Sequence, residues 1–156
     1  MTNYWIFKVK DEFGGLYARK GIEIFEHRTK EGFWGIRALN EKGKLEKNVN
    51  QLAKGDFVVF YLVKTTGNCF VGTAVLDSVF QTLDDVQAKR LVHLEFIDWN
   101  QGVSLGDVNR WTKPLPVEYL AENSAFRGGN IYFQGSIKRI DRTVYNSIIL
   151  KHEIIC

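Results

Sequence analysis

The chain has 156 residues, which suits a single domain spanning residues 1–156 with a sizeable core. Its composition is 45% hydrophobic and 25% charged with only 2 prolines, which excludes a disordered or low-complexity protein. The net charge of +3 permits nucleic-acid binding without demanding it. Because no apolar run has the length of a membrane span and the first residues lack the pattern of a signal peptide, we expect a cytoplasmic protein.

The first half of the chain contains clear strand, helix and turn signals. The predicted elements are a strand at Tyr4–Val9, an amphipathic helix at Leu16–Arg28 with Ile22 and Phe25 on its apolar side, a strand at Phe33–Leu39 ending in the turn 40–43, a short helix at Asn48–Ala53, and a hairpin of the strands Phe57–Val63 and Cys69–Leu76. Gly32 should end the first helix. Gly72, inside a strand, predicts a bulge or a close backbone contact.

The second half is less regular. A short turn or helix at Asp84–Ala88, a half-buried strand at Leu91–Trp99, a long connection over residues 100–116, a short helix at Val117–Asn123, a loop at 126–130, a strand within Ile131–Ile140 and a last helix at Val144–His152 with Thr143 as its N-cap are expected. Many short strands without regular strand–helix alternation predict an α+β domain, a small mixed β-barrel of about five to six strands flanked by short helices.

Residues that carry chemistry are scattered. Cys69 and Cys156 and the three histidines lack metal-ligand spacing, so we expect two free thiols, with Cys69 buried, and no metal or cofactor. The sequence contains no nucleophile or phosphate-binding motif. We therefore expect a protein that is not an enzyme, and metal-dependent hydrolysis by Asp84, Asp85 and Asp98 stays an alternative.

Several short aromatic motifs occur in a characteristic order. They are Tyr4-Trp5-Ile6, Phe33-Trp34-Gly35-Ile36, the stretch from Leu52 to Tyr61, the stretch from Phe70 to Val75, and the closing segment Phe133-Gln134-Gly135-Ser136-Ile137. In this order the chain resembles the EVE domain family of the PUA-like superfamily over essentially its whole length. It is also similar to the related YTH domains, in which a tryptophan after a Gly-x pair is one wall of an aromatic cage for a methylated adenine.

This resemblance implies that Trp34 is a cage wall and that the Gly35 backbone faces the edge of the base. The residues agree, because a Trp-Gly pair places an indole face beside a backbone that a flat ligand can approach closely. We expect the Trp34 indole to stand free at the mouth of the barrel. The alternative is a core tryptophan on a barrel strand.

Further candidate contacts have ordinary structural alternatives. The predicted base-binding set is Trp34, Gly35, Phe33, Trp5, Lys8, Trp99 and Asn68, and the predicted contacts to the nucleic-acid backbone are Arg127, Gly128, Gly129, Asn130, Lys138 and Arg139. Trp5 and Trp99 are equally well explained as core residues, Asn68 as a turn residue, and Lys8 as a solvent-facing residue. The Arg127 segment equally suits a plain turn. Trp111, between Arg110 and Lys113, stacks on nucleic acid or packs down as a lid.

The function that these features favour is a nucleic-acid-binding module that recognises a modified, methylated base, flipped from a strand or single-stranded, in an aromatic cage. Its partner would be DNA or RNA. The family context implies a nuclease or another defence-system effector as a further partner. A hydrolytic enzyme acting on nucleic acid or modified nucleosides, and a protein-interaction adaptor with a filled barrel, are the alternatives.

Overall fold

The computed structural model describes residues 2–11, 19–36, 48–65, 67–84, 86–87, 101–122, 126 and 135–156. Within these residues seven strands form one mixed sheet: β1 (Tyr4–Lys10), β2 (Phe33–Gly35), β3 (Phe57–Val63), β4 (Cys69–Leu76), β5 (Gln81–Thr82), β6 (Gln101–Pro116) and β7 (Ile137–Ile140). Its strand order is β2-β6-β4-β3-β1-β7, and β5 pairs with β6. Two helices, α1 (Gly21–Glu31) and α2 (Arg142–Ile155), accompany the sheet in the described part of the chain. The predicted α+β class with a small mixed sheet is confirmed.

The centre of the sheet follows the sequence pattern closely. β1 pairs with β3 in parallel, with Tyr4 opposite Phe57, and β3 and β4 form the predicted antiparallel hairpin. The predicted irregularity at Gly72 is also confirmed. The register shifts next to Gly72 both where β4 pairs with β3 and where β4 pairs with β6. A Cβ atom at Gly72 would lie 2.5 Å from the Asn109 carbonyl oxygen of β6, so only glycine fits here without a shift of the neighbouring strand.

The sheet is curled into a half-barrel. β2 is three strands from β3 and four from β1 in the hydrogen-bonded order, which in a flat sheet would separate them by about 14 Å and 19 Å. The Trp34 ring of β2 nevertheless lies 4.8 Å from the Phe60 ring of β3 and 6.0 Å from the Phe7 ring of β1. Side chains from distant strands therefore meet inside the curl.

Two hydrophobic clusters occupy the two faces of the sheet. The inner cluster fills the curl beneath α1 and contains Trp5, Phe7, Phe25, Trp34 and Phe60 among its members. The outer cluster lies beneath α2 and includes Ile6, Tyr61, Phe70, Tyr145 and Ile148. Neighbouring strand residues such as Trp5 and Ile6 belong to different clusters because successive side chains point to opposite faces.

The first helix begins and ends at glycines. α1 starts at Gly21, whose N–H donates to the Asp11 carboxylate at 2.7 Å, and it ends before Gly32, which has a φ of 71°. The prediction that Gly32 ends the helix is confirmed. Ile24 and Phe25 lie on the buried face, whereas Ile22 is only half-buried at its margin. The predicted turn of helix before residue 19 lies outside the described residues.

The expected long connection over residues 100–116 is wrong. Residues 101–116 form β6, the longest strand of the described chain, which pairs with β2, β4 and β5. Glycines and prolines predicted a loop, yet Gly102 allows a close approach to the Trp34 backbone, and Pro114 and Pro116 lie at an irregularity and at the strand end, where proline is tolerated.

The short helices predicted at Asn48–Ala53 and Val117–Asn123 are 3-10 turns at Val49–Gln51 and Val117–Leu120, and β2 has three residues. β7 lies inside the segment 131–140, as predicted, and α2 extends beyond the predicted Val144–His152 at both ends. Thr143 is not the N-cap of α2, because Asp141 occupies that position and Thr143 lies in the first turn. The turn 40–43 and the strand 91–99 lie outside the described residues. No helix in the described ranges is long and apolar enough to span a membrane.

Candidate functional site

Trp34 lies on the short strand β2, the first strand in the hydrogen-bonded order of the curled sheet. Its neighbour in register is Val103 of β6, and Gly35 is opposite Gly102. The indole has no exposed surface. Three aromatic rings surround it, namely Phe60 at 4.8 Å, Phe7 at 6.0 Å and Phe25 at 6.5 Å between ring centroids. We call these four residues the aromatic cluster.

The predicted open indole face is therefore not present in this conformation. The reason is the curl of the sheet, because the largest side chain of β2 points into the space between β1, β3 and α1 and fills it. Trp34 is fully enclosed, with no exposed surface for a ligand ring to contact. Its role in base binding stays a prediction.

A charged side chain that sequence reasoning missed covers the indole. The Arg28 guanidinium carbon lies 4.8 Å from the centre of the Trp34 ring, and Arg28 is only 4% exposed. Its place follows from the helical period, since Arg28 is four residues after Ile24 and three after Phe25 on the buried stripe of α1. This spacing was the available signal. A planar guanidinium on an aromatic face is a favourable cation–π contact.

The Trp34 Nε1 group is buried without a hydrogen-bond acceptor among the described residues. An unsatisfied buried N–H costs about 1–3 kcal/mol, so such a group calls for an explanation. The site therefore combines an indole, an unsatisfied donor and a planar cation on the ring face. These are the groups with which a protein stacks and hydrogen-bonds a flat polar ring.

Trp5 is equally buried but has its partner. Its Nε1 donates to the Asp56 carboxylate at 2.9 Å. The same buried carboxylate accepts hydrogen bonds from the backbone N–H groups of Asn3 at 3.0 Å and Ala53 at 3.1 Å. Of the two interpretations open for Trp5, the contacts favour core anchoring, because its donor is satisfied and its ring is enclosed.

Of the other predicted base contacts, Phe33 and Gly35 adjoin Trp34 on β2. The backbone of β6 lies close to this strand, because a Cβ atom at Gly102, opposite Gly35, would collide with the Trp34 carbonyl oxygen. Lys8 is half-buried on β1, next to Phe7 in sequence and therefore on the opposite face of the sheet. The Trp34 and Lys8 side chains, which were expected to share one pocket, therefore lie on different faces of the sheet.

Asn68 has the turn role that was the alternative. Its side-chain oxygen accepts the Lys64 N–H at 3.0 Å, and its carbonyl accepts the Val117 N–H at 3.0 Å. It lies at the end of β6 that is remote from Trp34, because Pro116 is opposite Cys69 whereas Val103 is opposite Trp34. The structure does not bring Asn68 to the aromatic cluster.

The predicted contacts to a nucleic-acid backbone are described only in part. Lys138 and Arg139 lie on the edge strand β7, and the exposed Arg139 donates to the Gln51 side chain at 3.3 Å. A shallow cleft of about 480 Å³ adjoins them and is lined by Arg139, Arg142 and the first residues of the chain. Trp99 and the segment 127–130 lie outside the described residues.

The titratable groups of the described chain offer no obvious catalytic cluster. No group of three or more His, Cys, Asp or Glu side chains within the described ranges is arranged to hold a metal ion. Both thiols are unpaired, with Cys69 buried and Cys156 exposed. Burial raises the pKa of the Cys69 thiol, an effect that nearby Lys64 partly offsets, so this thiol is held in its protonated form.

Comparison with known proteins gives agreement at the level of fold. No protein-family model and no curated protein matches the sequence. A Leishmania major protein is similar over 99% of this chain and 97% of its own, with a TM-score of 0.62 and 17% identity. Human THYN1, solved in complex with DNA containing 5-methylcytosine, has a TM-score of 0.61 and 12% identity, over 96% of this chain and 98% of its own. The chain has the fold of these domains.

A YTH domain also shares this fold. The domain of Zygosaccharomyces rouxii MRB1, solved in complex with N6-methyladenosine RNA, has a TM-score of 0.53 and 13% identity, over 94% of this chain and 85% of its own. The likeness to THYN1, whose DUF55 domain gives the same TM-score of 0.61 on its own, agrees with the resemblance drawn from the aromatic motifs. At these identities the comparison speaks for the fold.

Proposed function

We propose that this protein is a nucleic-acid-binding module that holds a modified base, flipped from a strand or single-stranded, against Trp34. The single observation that carries the proposal is the buried Trp34 indole, whose N–H lacks an acceptor among the described residues and whose face is covered by Arg28. The DNA-bound and RNA-bound proteins of the same fold support it.

The energetics are adequate for base capture. Stacking a base on an aromatic ring contributes roughly 1–3 kcal/mol. An acceptor atom elsewhere on the bound strand, lying in the plane of the indole, would satisfy the Trp34 N–H and recover a part of its burial cost. Extruding a base from a duplex costs a few kcal/mol, least when it is unpaired. Affinity for the intact strand would then come from cations that contact phosphates.

Arg28 occupies the position on the indole that a base would take. The central carbon of its planar, polar guanidinium lies 4.8 Å from the ring centre, over the face on which a nucleobase would stack. The closed conformation is therefore the ligand-free form in this proposal. In this proposal, base binding moves Arg28 off the indole. The free-energy cost of this movement lowers the affinity for every base equally, so it does not contribute to selectivity between bases.

Contacts to the strand itself remain part of the proposal. Lys138, Arg139 and the segment 127–130 are the proposed partners of phosphates, and a nuclease or another effector of a defence system is a proposed further partner. Arg139 is exposed on β7, and phosphate contacts position a strand without reading its sequence.

The experiment compares two buried tryptophans that undergo the same change. Oligonucleotides with 5-methylcytosine, its hydroxymethyl form or N6-methyladenine, and their unmodified counterparts, are titrated at fixed salt against wild type, Trp34→Phe and Trp5→Phe. We expect wild type to prefer one modified strand by roughly tenfold or more, Trp34→Phe to lose most of this preference, and Trp5→Phe to keep it. Equal preference in all three proteins would overturn the role of Trp34.

A second candidate function has one observation in its favour. The aromatic cluster fills the curl completely, and this suits an adaptor that binds another protein and holds no ligand. The same titration separates the two candidates. An adaptor shows no affinity for any oligonucleotide at low salt, whereas a nucleic-acid-binding module does.

A further inference from the structure

A second aromatic site lies on the outer face of the sheet, where β6 departs from β4. Phe70 is opposite Leu115 and Gly72 is opposite Arg110, so the single residue Val71 of β4 faces the four residues 111–114 of β6. These four residues form a wide bulge, which we call the β6 bulge. Bulges re-aim side chains and are frequent beside functional sites.

The last turns of α2 hold the β6 bulge in place. The His152 ring stacks on the Trp111 ring with 3.7 Å between centroids and 10° between planes, and its Nε2 lies 3.1 Å from the Lys113 carbonyl oxygen. The Cys156 thiol reaches the Pro114 carbonyl at 3.9 Å. His152 follows Tyr145 and Ile148 on the core-facing stripe of the helix. The exposed edge of this stripe therefore ends in a preformed aromatic stack.

Cations flank the stack. A cleft of about 320 Å³ is lined by Arg110, Trp111, Lys113 and His152. Arg110 and Lys113 are exposed, and within the described part of the chain neither has a carboxylate at ion-pair distance. Trp111 is partly buried against the outer cluster, and its ring is stacked on His152. The cleft thus places an aromatic stack beside two exposed cations.

We propose that this cleft binds an unpaired segment of a nucleic-acid strand, with a base on the Trp111–His152 stack and phosphates on Arg110 and Lys113. An aromatic platform between cations is the usual arrangement for sequence-tolerant single-strand binding. The identity of the ligand class rests on the proposed function. The cleft itself is separate from Trp34, since Trp111 packs with the outer cluster and lies eight residues along β6 from Val103, the residue opposite Trp34.

The test uses the salt dependence of binding to an unmodified single-stranded oligonucleotide. Each phosphate contact contributes about −0.7 to the slope of log K against log salt for single strands. The double variant Arg110→Gln/Lys113→Gln should therefore flatten the slope by about 1.4 and weaken binding roughly 25-fold at about 0.1 M salt. The matched control Lys20→Gln/Lys30→Gln removes two exposed cations outside the cleft and should change the slope far less. Equal slopes for wild type and the cleft variant overturn the proposal, as does an equal effect of the control.

A second variant tests the stack. Trp111→Leu should weaken binding about tenfold with an unchanged salt slope, and Trp111→Phe should restore most of the affinity. A purely structural role for Trp111 predicts that Leu binds as well as Phe once thermal unfolding shows both variants folded, and this result overturns the stacking role. The preference for a modified base is read separately. If wild type shows no preference for a modified base, or Trp34→Phe keeps it, while the cleft variants weaken binding as expected, the Trp34 site alone is refuted. If the preference depends on Trp34 but the cleft variants bind like wild type, the cleft alone is refuted.

Discussion

The two fully buried tryptophans allow one chemical change to be compared in two environments. Trp5→Phe and Trp34→Phe remove the same atoms from side chains that are both 0% exposed, so their burial and cavity contributions are similar. The difference lies in the N–H group. Trp5 donates to the Asp56 carboxylate, whereas Trp34 has no acceptor among the described residues. We expect Trp5→Phe to be the more destabilising change.

The magnitude follows from the contacts. A hydrogen bond to a buried carboxylate contributes about 1.5–3 kcal/mol, which only Trp5→Phe loses. Trp34→Phe weakens but does not remove the contact with the buried Arg28 guanidinium, which is worth about 2 kcal/mol when desolvated, so the loss is on the order of 1 kcal/mol. The two free energies of unfolding should therefore differ by about 1.5 kcal/mol.

Urea unfolding measures this difference directly. With a denaturant slope of about 1–3 kcal/mol per molar, the unfolding midpoints of the two variants should differ by roughly 1 M. Equal midpoints, or a lower midpoint for Trp34→Phe, would show that the Trp34 N–H has an acceptor in the folded protein. The Trp34 N–H would then not be free to donate to a ligand.

Three further predictions concern the frame around the site. Asp56→Asn should destabilise the fold by about 3 kcal/mol in chemical unfolding, because it disturbs a buried carboxylate that accepts three N–H groups, and a loss below about 1 kcal/mol would contradict this anchor. Gly72→Ala should cost about 1–3 kcal/mol because its Cβ meets the Asn109 carbonyl, whereas Gly106→Ala, whose nearest contact is 3.7 Å, should be nearly neutral; equal thermal shifts would refute the close contact. Burial, and to a smaller extent Tyr4, raises the pKa of Tyr145 to about 12. The stability that the neutral hydroxyl contributes is therefore complete below about pH 10, and about 2 kcal/mol of it is lost as the pH rises to about 12. Tyr145→Phe should abolish this alkaline loss of stability, and an unchanged pH profile of unfolding would contradict the prediction.

The strands at the centre of the fold could be predicted because the hydrophobicity of their own residues indicates that they are buried. Phe57–Val63 is apolar throughout and is central, and the hairpin with Cys69–Leu76 follows from the turn residues between them. β6 could not be found in this way. Its glycines and prolines are explained only by what faces them, such as the Trp34 backbone beside Gly102, and those partners are distant in sequence.

The candidate site shows the same division. The sequence singles out Trp34, and the helical period places Arg28 on the buried stripe of α1. The enclosure of the indole could not be predicted, because it results from the curl that brings Phe60 and Phe7 to it across three and four strands. Sheet curl is a property of the assembled strands and leaves little trace in any one of them.

The most direct test of the account follows the indole N–H of Trp34 during binding. In NMR titrations of the labelled protein, with the indole signals assigned through the Trp34→Phe and Trp5→Phe variants, the preferred modified oligonucleotide should shift the Trp34 Nε1–H signal strongly and leave the signal of Trp5, bonded to Asp56, in place. A complex that forms while the Trp34 signal does not move would contradict the claim that this buried donor receives the base.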